Sequence, residues 1–133
     1  MCIRDRDIPV IANGDIRNSQ EAIECLKITN ADGVMIGRAS MGAPWLVGQI
    51  DAEIKNQNTF REPDAKMKVS LSLEHLKLLV SKKGNHGLLI ARKHMNWTCR
   101  GFQGASTLRQ KLVRASTPNE AIKLLEDELI KFN

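Results

Sequence analysis

Two short loops within the first forty residues combine glycine with residues that could bind an anion. The first is Asn13-Gly14-Asp15 and the second is Gly37-Arg38. As a glycine, Gly14 allows the backbone a tight turn with positive φ and lets a ligand approach the backbone N–H groups closely. The guanidinium of Arg38 can pair with phosphate oxygens, bidentately where geometry allows. The loops therefore predict a phosphate site; the alternative is two simple turns and a surface Arg.

A second group of residues that could bind an anionic partner lies in the basic part of the chain. Residues 64–117 hold eleven Lys and Arg against two Asp and Glu, whereas residues 1–63 hold seven against nine. A basic segment of this density indicates a polyanionic partner, with nucleic acid as the first candidate. A merely soluble basic surface is the alternative. The candidates for phosphate contacts are Arg92, Lys93, Arg100, Arg109 and Lys111.

Two βα units must position the glycine loops. Short apolar runs over residues 8–12 and 31–39 predict strands that are buried on both faces, as in a parallel sheet covered by helices. Between them, Asn18 followed by Glu21 predicts the N-cap of a helix that lies on the sheet. A further short helix is predicted over residues 41–54. Both loops then lie at the C-terminal ends of parallel strands, where α/β folds place their active sites.

The basic part of the chain reads as a helical tail after a polar linker over residues 56–63. Periodic apolar residues predict helices over 65–83, 86–97 and 105–115, with Asp64 capping the first. Thr117 and Glu120 form a capping box with Pro118 at the first helical position, which predicts a last helix. His94 and Trp97 are interpreted as packing or hydrogen-bonding residues rather than as residues that read a base.

Length and composition restrict the remaining possibilities. The 133 residues are too few for a whole (β/α)8 barrel, which takes about 250. We therefore interpret the chain as a C-terminal fragment and residues 1–6 as a non-native leader. No apolar run reaches the length of a membrane span. The three cysteines lack C-x-x-C spacing and the three histidines lack metal spacing, so we predict no metal site and a reducing cytoplasm. Cys25 is expected to pack as a small hydrophobe.

Two separate sets of motifs carry a family resemblance. Residues 8–16, 32–38 and 42–45 resemble the last two βα units of the tRNA-dihydrouridine synthases. Residues 91–94, Trp97, Gly101, 104–105 and 108–109 are similar to the helical C-terminal domain of that family, most closely in its bacterial B-type branch. The sets match independently and in the right order. The family usually has Tyr after the Trp, and Thr98 stands there instead.

The resemblance implies an α/β plus all-α fold: the last two βα units of a (β/α)8 TIM barrel, followed by a C-terminal helical bundle. Residues 7–55 would belong to the FMN-binding barrel, residues 56–63 to a linker and residues 64–133 to a tRNA-binding domain. The family's FMN contacts fall on Asn13, Gly14, Asp15, Gly37 and Arg38. Because two anions repel, we expect Asp15 to accept hydrogen bonds from backbone or ligand hydroxyls rather than to meet the phosphate.

The implied activity is reduction of uridine to 5,6-dihydrouridine in tRNA, with NADPH as reductant and FMN as the flavin. The catalytic Cys of the family lies before this chain, and neither Cys25 nor Cys99 matches its motif. The fragment is therefore expected to be inactive alone, and the full-length enzyme to be a cytoplasmic monomer. Two alternatives stay open: a non-catalytic basic RNA-binding module, and another FMN-dependent TIM-barrel oxidoreductase.

Overall fold

A computed structural model describes residues 7–57 and 61–132, and the chain divides into two compact units, residues 1–61 and 62–133. The described residues form two short strands and six α-helices. The proposed leader, residues 1–6, and residues 58–60 of the predicted linker lie outside the described part of the chain.

The first unit is a βαβα segment around a two-stranded parallel sheet. Strand β1 (Ile11–Asn13) pairs with strand β2 (Gly33–Met35), with Ala12 opposite Val34. Helix α1 (Ser19–Thr29) connects the strands, and helix α2 (Leu46–Ile54) follows the second strand and packs on α1. The parallel pairing of two consecutive βα units confirms that element of the prediction.

Local side-chain chemistry sets the start of α1. The Asn18 side chain accepts a hydrogen bond of 2.8 Å from the Glu21 N–H, which would otherwise lack an intrahelical partner. The Glu21 carboxylate in turn accepts one of 2.7 Å from the Arg17 N–H. The predicted N-cap is therefore confirmed. These two hydrogen bonds hold the backbone between β1 and α1 at residues 17 and 18.

The prediction that both strands are buried on both faces is wrong. Ile8, Ile11 and Met35 are 60, 57 and 52% exposed. The small core of this unit consists of Ile16, Ala22 and Ile50, against which Cys25 and other half-buried residues pack. Among the described residues of the unit, α1 and α2 provide the only helical cover, so the side chains that alternate to the opposite face remain in solvent. The packing predicted for Cys25 is confirmed.

The helix predicted over residues 41–54 exists only in its second half. Residues Arg38–Ser40 form one 3₁₀ turn, and α2 begins at Leu46. Gly42 has φ 81°, a left-handed conformation that interrupts a helix, and Pro44 has no N–H to donate to an earlier carbonyl. The apolar pattern continues through residues 41–45, but the backbone there is not helical.

The second unit contains four helices whose bounds lie close to the predicted ones: α3 (Ala65–Lys83), α4 (His86–Thr98), α5 (Ala105–Arg114) and α6 (Pro118–Ile130). Helix α3 packs against α4 and α6, and α5 packs against the same two helices. Asp64 accepts from the Met67 N–H at 2.8 Å, and Thr117 accepts from the Glu120 N–H at 3.2 Å. Both predicted caps are confirmed.

These four helices enclose a continuous apolar core. Leu76, Leu112 and Leu125 are among its fully buried side chains, and Phe102 packs against it from the α4–α5 loop. At Gly87 the backbones of α3 and α4 approach so closely that a Cβ would lie 2.5 Å from the Leu79 carbonyl oxygen. No side chain fits there without movement of one helix.

Candidate functional site

An open pocket lies beyond the C-terminal ends of the two strands. Because β1 and β2 run parallel, the loops that follow them leave the same edge of the sheet. The pocket has a volume of about 850 Å³. Its lining includes all five residues predicted as cofactor contacts, together with four that were not predicted. These nine residues are Asn13, Gly14, Asp15, Ile16, Arg17, Gly37, Arg38, Ala39 and Leu46.

The two glycines leave open space at the pocket wall. Gly14 does not use the positive φ that glycine allows, and the left-handed conformation falls on the next residue, Asp15, with φ at 47°. Asp tolerates this left-handed conformation better than most residues because its short side chain can hydrogen-bond locally. A Cβ built on Gly14 or Gly37 would meet no atom within 4 Å. The backbone at both positions is therefore accessible to a ligand.

The two loops are joined by an ion pair between their charged residues. The Arg38 guanidinium donates to the Asp15 carboxylate, and both side chains are well exposed, at 79 and 62%. Asp15 was expected to accept from backbone or from ligand hydroxyls, and its partner in the structure is instead the nearest cation. The Gly37 carbonyl accepts from Ser40 Oγ at 2.8 Å, which holds the turn that presents Arg38.

Sequence reasoning missed Arg17 as a pocket residue. It belongs to neither the glycine loops nor the apolar strand pattern, and only its position between β1 and the cap of α1 could have indicated it. Arg17 is one of the residues that line the pocket, and its backbone N–H donates to the Glu21 carboxylate. The residues that line the pocket therefore include two Arg and one Asp.

Of the five predicted nucleic-acid contacts in the second unit, three donate to backbone carbonyls of the unit itself. Arg92 donates to the Ala115 carbonyl at 2.7 Å, and Arg109 to the Cys99 carbonyl at 2.9 Å. Both of these side chains are half-buried. Arg100 donates to the Asn96 carbonyl at 3.0 Å from an exposed position.

The other two predicted contacts, Lys93 on α4 and Lys111 on α5, are exposed. Arg92 and Arg109 thus form hydrogen bonds between a helix and a loop. Lys93 and Lys111 are the predicted contacts most available to a partner. Within the described residues, the Nε of Arg92 is buried without a hydrogen-bond partner.

Three rings come together where α3 meets α4. The His75 and His94 rings lie 4.9 Å apart, and His94 meets Trp97 edge-on at 5.7 Å. Burial, with a smaller contribution from the charge of His94, lowers the pKa of His75. His94 and Trp97 therefore pack as predicted, and His75 joins them from another helix, which no local spacing could indicate.

The two described cysteines differ in their surroundings. Cys99 is fully buried, with its sulfur 3.4 Å from Ser72 Oγ, and burial raises its pKa. Cys25 is half-buried in the first unit. Over residues 7–57 and 61–132, no group of three or more His, Cys, Asp or Glu could hold a metal ion. No helix in that part of the chain is long and apolar enough to cross a membrane.

A family model matches a range of residues that includes both the pocket and the helical unit. The family model described as "Dihydrouridine synthase (Dus)" matches residues 2–133, so the chain belongs to the dihydrouridine synthase family.

Named relatives carry the same description. The chain is 43% identical over 122 residues to "Probable tRNA-dihydrouridine synthase 1" of Synechocystis sp., which covers 92% of this chain and 34% of that protein. It is 38% identical over 120 residues to "tRNA-dihydrouridine synthase B" of Pasteurella multocida, covering 90% of this chain and 36% of the relative. The chain thus spans about a third of the length of these relatives.

Proposed function

We propose that this chain forms the flavin-phosphate end and the tRNA-binding tail of an FMN-dependent tRNA-dihydrouridine synthase. The complete enzyme would reduce uridine in tRNA to 5,6-dihydrouridine, with NADPH as reductant. The observation that carries the proposal is the common pocket of Asn13, Gly14, Asp15, Gly37 and Arg38. These residues come from two separate loops, and they are the same five that the family resemblance predicts from sequence.

The pocket residues fit a phosphate monoester. Space beside Gly14 and Gly37 leaves the backbone accessible, and exposed guanidinium groups supply positive charge. In (β/α)8 barrels, the loops after the last two strands frequently bind phosphate. The parallel βα units, and the sheet face that α1 and α2 leave uncovered, support the further proposal that residues 7–55 belong to such a barrel.

FMN, when bound, supplies hydride transfer to the uracil ring, and the part of this chain is to hold its phosphate. Asn13 and the backbone of Gly14 and Gly37 would orient the phosphate group, with Arg38 as its cation. The proton for the base would come from a residue other than Cys25 or Cys99. The buried, high-pKa thiol of Cys99 supports this assignment, since it is withdrawn from solvent.

The second unit would bind tRNA through its basic surface. The excess of Lys and Arg over residues 64–117 supports this role, and the exposed Lys93 and Lys111 are its best-placed contacts. A cytoplasmic location and a monomeric full-length enzyme complete the proposal. In the alternative of a non-catalytic RNA-binding module, the pocket of the first unit would have no flavin to bind.

Comparing FMN with riboflavin tests the flavin part of the proposal, because riboflavin lacks the phosphate. We expect the 133-residue chain to bind FMN more tightly, and Arg38→Gln to weaken FMN binding about three- to tenfold. Riboflavin binding should not change. Lys27→Gln is the matched control, since it removes one positive charge from an exposed helical site in the same unit. Flavin fluorescence titration measures both dissociation constants, and equal affinity for the two flavins would contradict the proposal.

A salt titration of tRNA binding tests the tail separately. Lys93→Gln and Lys111→Gln should each reduce the slope of log K against log salt by about one unit, because each removes one phosphate contact. Lys27→Gln should leave the slope unchanged. Unaltered slopes in both tail variants would remove Lys93 and Lys111 from the interface.

A further inference from the structure

We propose that Arg17 is a second anion-binding residue of the pocket and carries its uncompensated positive charge. This inference rests on the proposed function, in which the anion is the phosphate monoester of FMN. The five contacts assigned through the family resemblance do not include position 17. The reason for adding it is the charge distribution that the structure gives to the pocket.

Only three of the nine lining residues are charged: Asp15, Arg17 and Arg38. The ion pair between Asp15 and Arg38 brings those two charges together, so the pair as a whole is neutral. The net charge of +1 that remains therefore lies on Arg17. A phosphate monoester carries about −1.5 to −2 at pH 7. Arg38 alone, already paired with a carboxylate, compensates such a charge poorly.

The guanidinium of Arg17 is available for this role. Among the described residues, no carboxylate forms a salt bridge with it. Glu21, which is the nearest acidic residue on the C-terminal side, accepts from the backbone N–H of position 17 rather than from its guanidinium. An anion that pairs with Arg17 therefore displaces no ion pair found among the described residues, whereas Arg38 has to share or exchange its carboxylate partner.

The backbone on both sides of Arg17 is held by burial and hydrogen bonds. The preceding Ile16 is 2% exposed and belongs to the core of the first unit. The Arg17 N–H is bound to the Glu21 carboxylate at 2.7 Å, and the following Asn18 caps α1. With the backbone fixed on both sides, pairing of the guanidinium with a phosphate costs conformational entropy of the Arg17 side chain but little of the backbone.

The test compares Arg17→Gln, Arg17→Lys and the control Lys27→Gln in the 133-residue chain, with FMN and riboflavin as the probes. We expect Arg17→Gln to weaken FMN binding about three- to fivefold, with riboflavin unchanged. Arg17→Lys keeps the charge and should retain most of the affinity. The effect of Arg17→Gln should shrink as salt is added, because the attraction is electrostatic and solvent-exposed.

The outcomes separate this inference from the proposed function. If Arg17→Gln binds FMN as the unchanged chain does, while FMN is still preferred over riboflavin, Arg17 is not a phosphate contact and the proposed function stands. An equal loss for FMN and riboflavin in Arg17→Gln would also overturn the inference, since the side chain would then act through folding or the flavin ring. A chain without preference for FMN over riboflavin would overturn both.

Discussion

The two units of this protein differ in how fully they bury their own apolar surface. The helical unit encloses eleven buried residues in one cluster, and half-buried side chains pack around it. Over residues 7–57, the βα unit has three buried residues and leaves Ile8, Ile11 and Met35 largely in solvent. A helical bundle can therefore complete its core from local sequence, whereas a two-stranded parallel sheet needs further elements to cover its second face.

The largest expected effect is a difference in local stability between the two units of the whole chain. Native-state hydrogen exchange should give opening free energies for α3–α6 at least about 3 kcal/mol above those for β1 and β2. The reason is the unequal burial of the two cores. Equal protection across residues 7–57 and 61–132 would contradict the comparison.

A second test truncates one apolar side chain in each unit. Leu76 is fully buried in the helical unit, so Leu76→Ala should lower the free energy of unfolding by about 2–5 kcal/mol. Met35 is 52% exposed in β2, and Met35→Ala should change it by less than about 0.5 kcal/mol. Urea denaturation followed by circular dichroism measures both. A large loss at Met35 would mean that its exposed face is covered in solution.

A third test uses two helical glycines. Gly87→Ala should destabilise the helical unit by about 1–3 kcal/mol, because the new Cβ would collide with the backbone at Leu79. Gly48 lies inside α2, and a methyl group added there would meet no atom within 4 Å, so Gly48→Ala should stabilise by about 0.5–1 kcal/mol. The melting temperatures of the two variants should therefore shift in opposite directions, and an unchanged or raised melting temperature for Gly87→Ala would show that the α3–α4 approach is not tight.

The smallest effect concerns the cap of the last helix. Hydrogen bonds from the Ser116 backbone N–H and hydroxyl lower the pKa of the Glu120 carboxyl below its ordinary 4.5. A lowered pKa in the folded state means that the contribution is fully present above about pH 4.5 and is lost as the pH falls through the folded-state value. The melting temperature of the unchanged chain should exceed that of Glu120→Gln at pH 7, and the difference should vanish in acid. A constant difference would assign the effect to something other than ionisation.

Features that depend on neighbouring sequence could be predicted without the structure. The caps at Asn18, Asp64 and Thr117 each involve a side chain and an N–H three residues away, so their geometry follows from the local sequence. The loops at the two strand ends were also foreseeable, because parallel strands bring consecutive C-terminal ends to one edge. The bounds of α3 follow from the same kind of local signal, a cap at one end and Gly84 at the other.

Features that depend on distant partners could not be predicted in this way. The exposure of Ile11 depends on which elements cover the sheet, and the structural role of Arg92 depends on a carbonyl 23 residues away. The closeness of α3 and α4 at Gly87 is likewise a property of packing. Arg17 was missed because, from sequence alone, an Arg beside a helix cap cannot be distinguished from other surface Arg residues. Its place at the pocket follows from the structure.

The left-handed backbone at Asp15 has a consequence for which mutations this site can tolerate. With φ at 47°, the position disfavours β-branched and bulky residues, so glycine and asparagine are the replacements compatible with its conformation. Both of them lack the carboxylate that pairs with Arg38. At position 15, natural variation that preserves the shape of the loop must therefore change the electrostatic potential that a ligand meets. Asp is therefore the residue that satisfies both the left-handed backbone and the ion pair with Arg38 at this position.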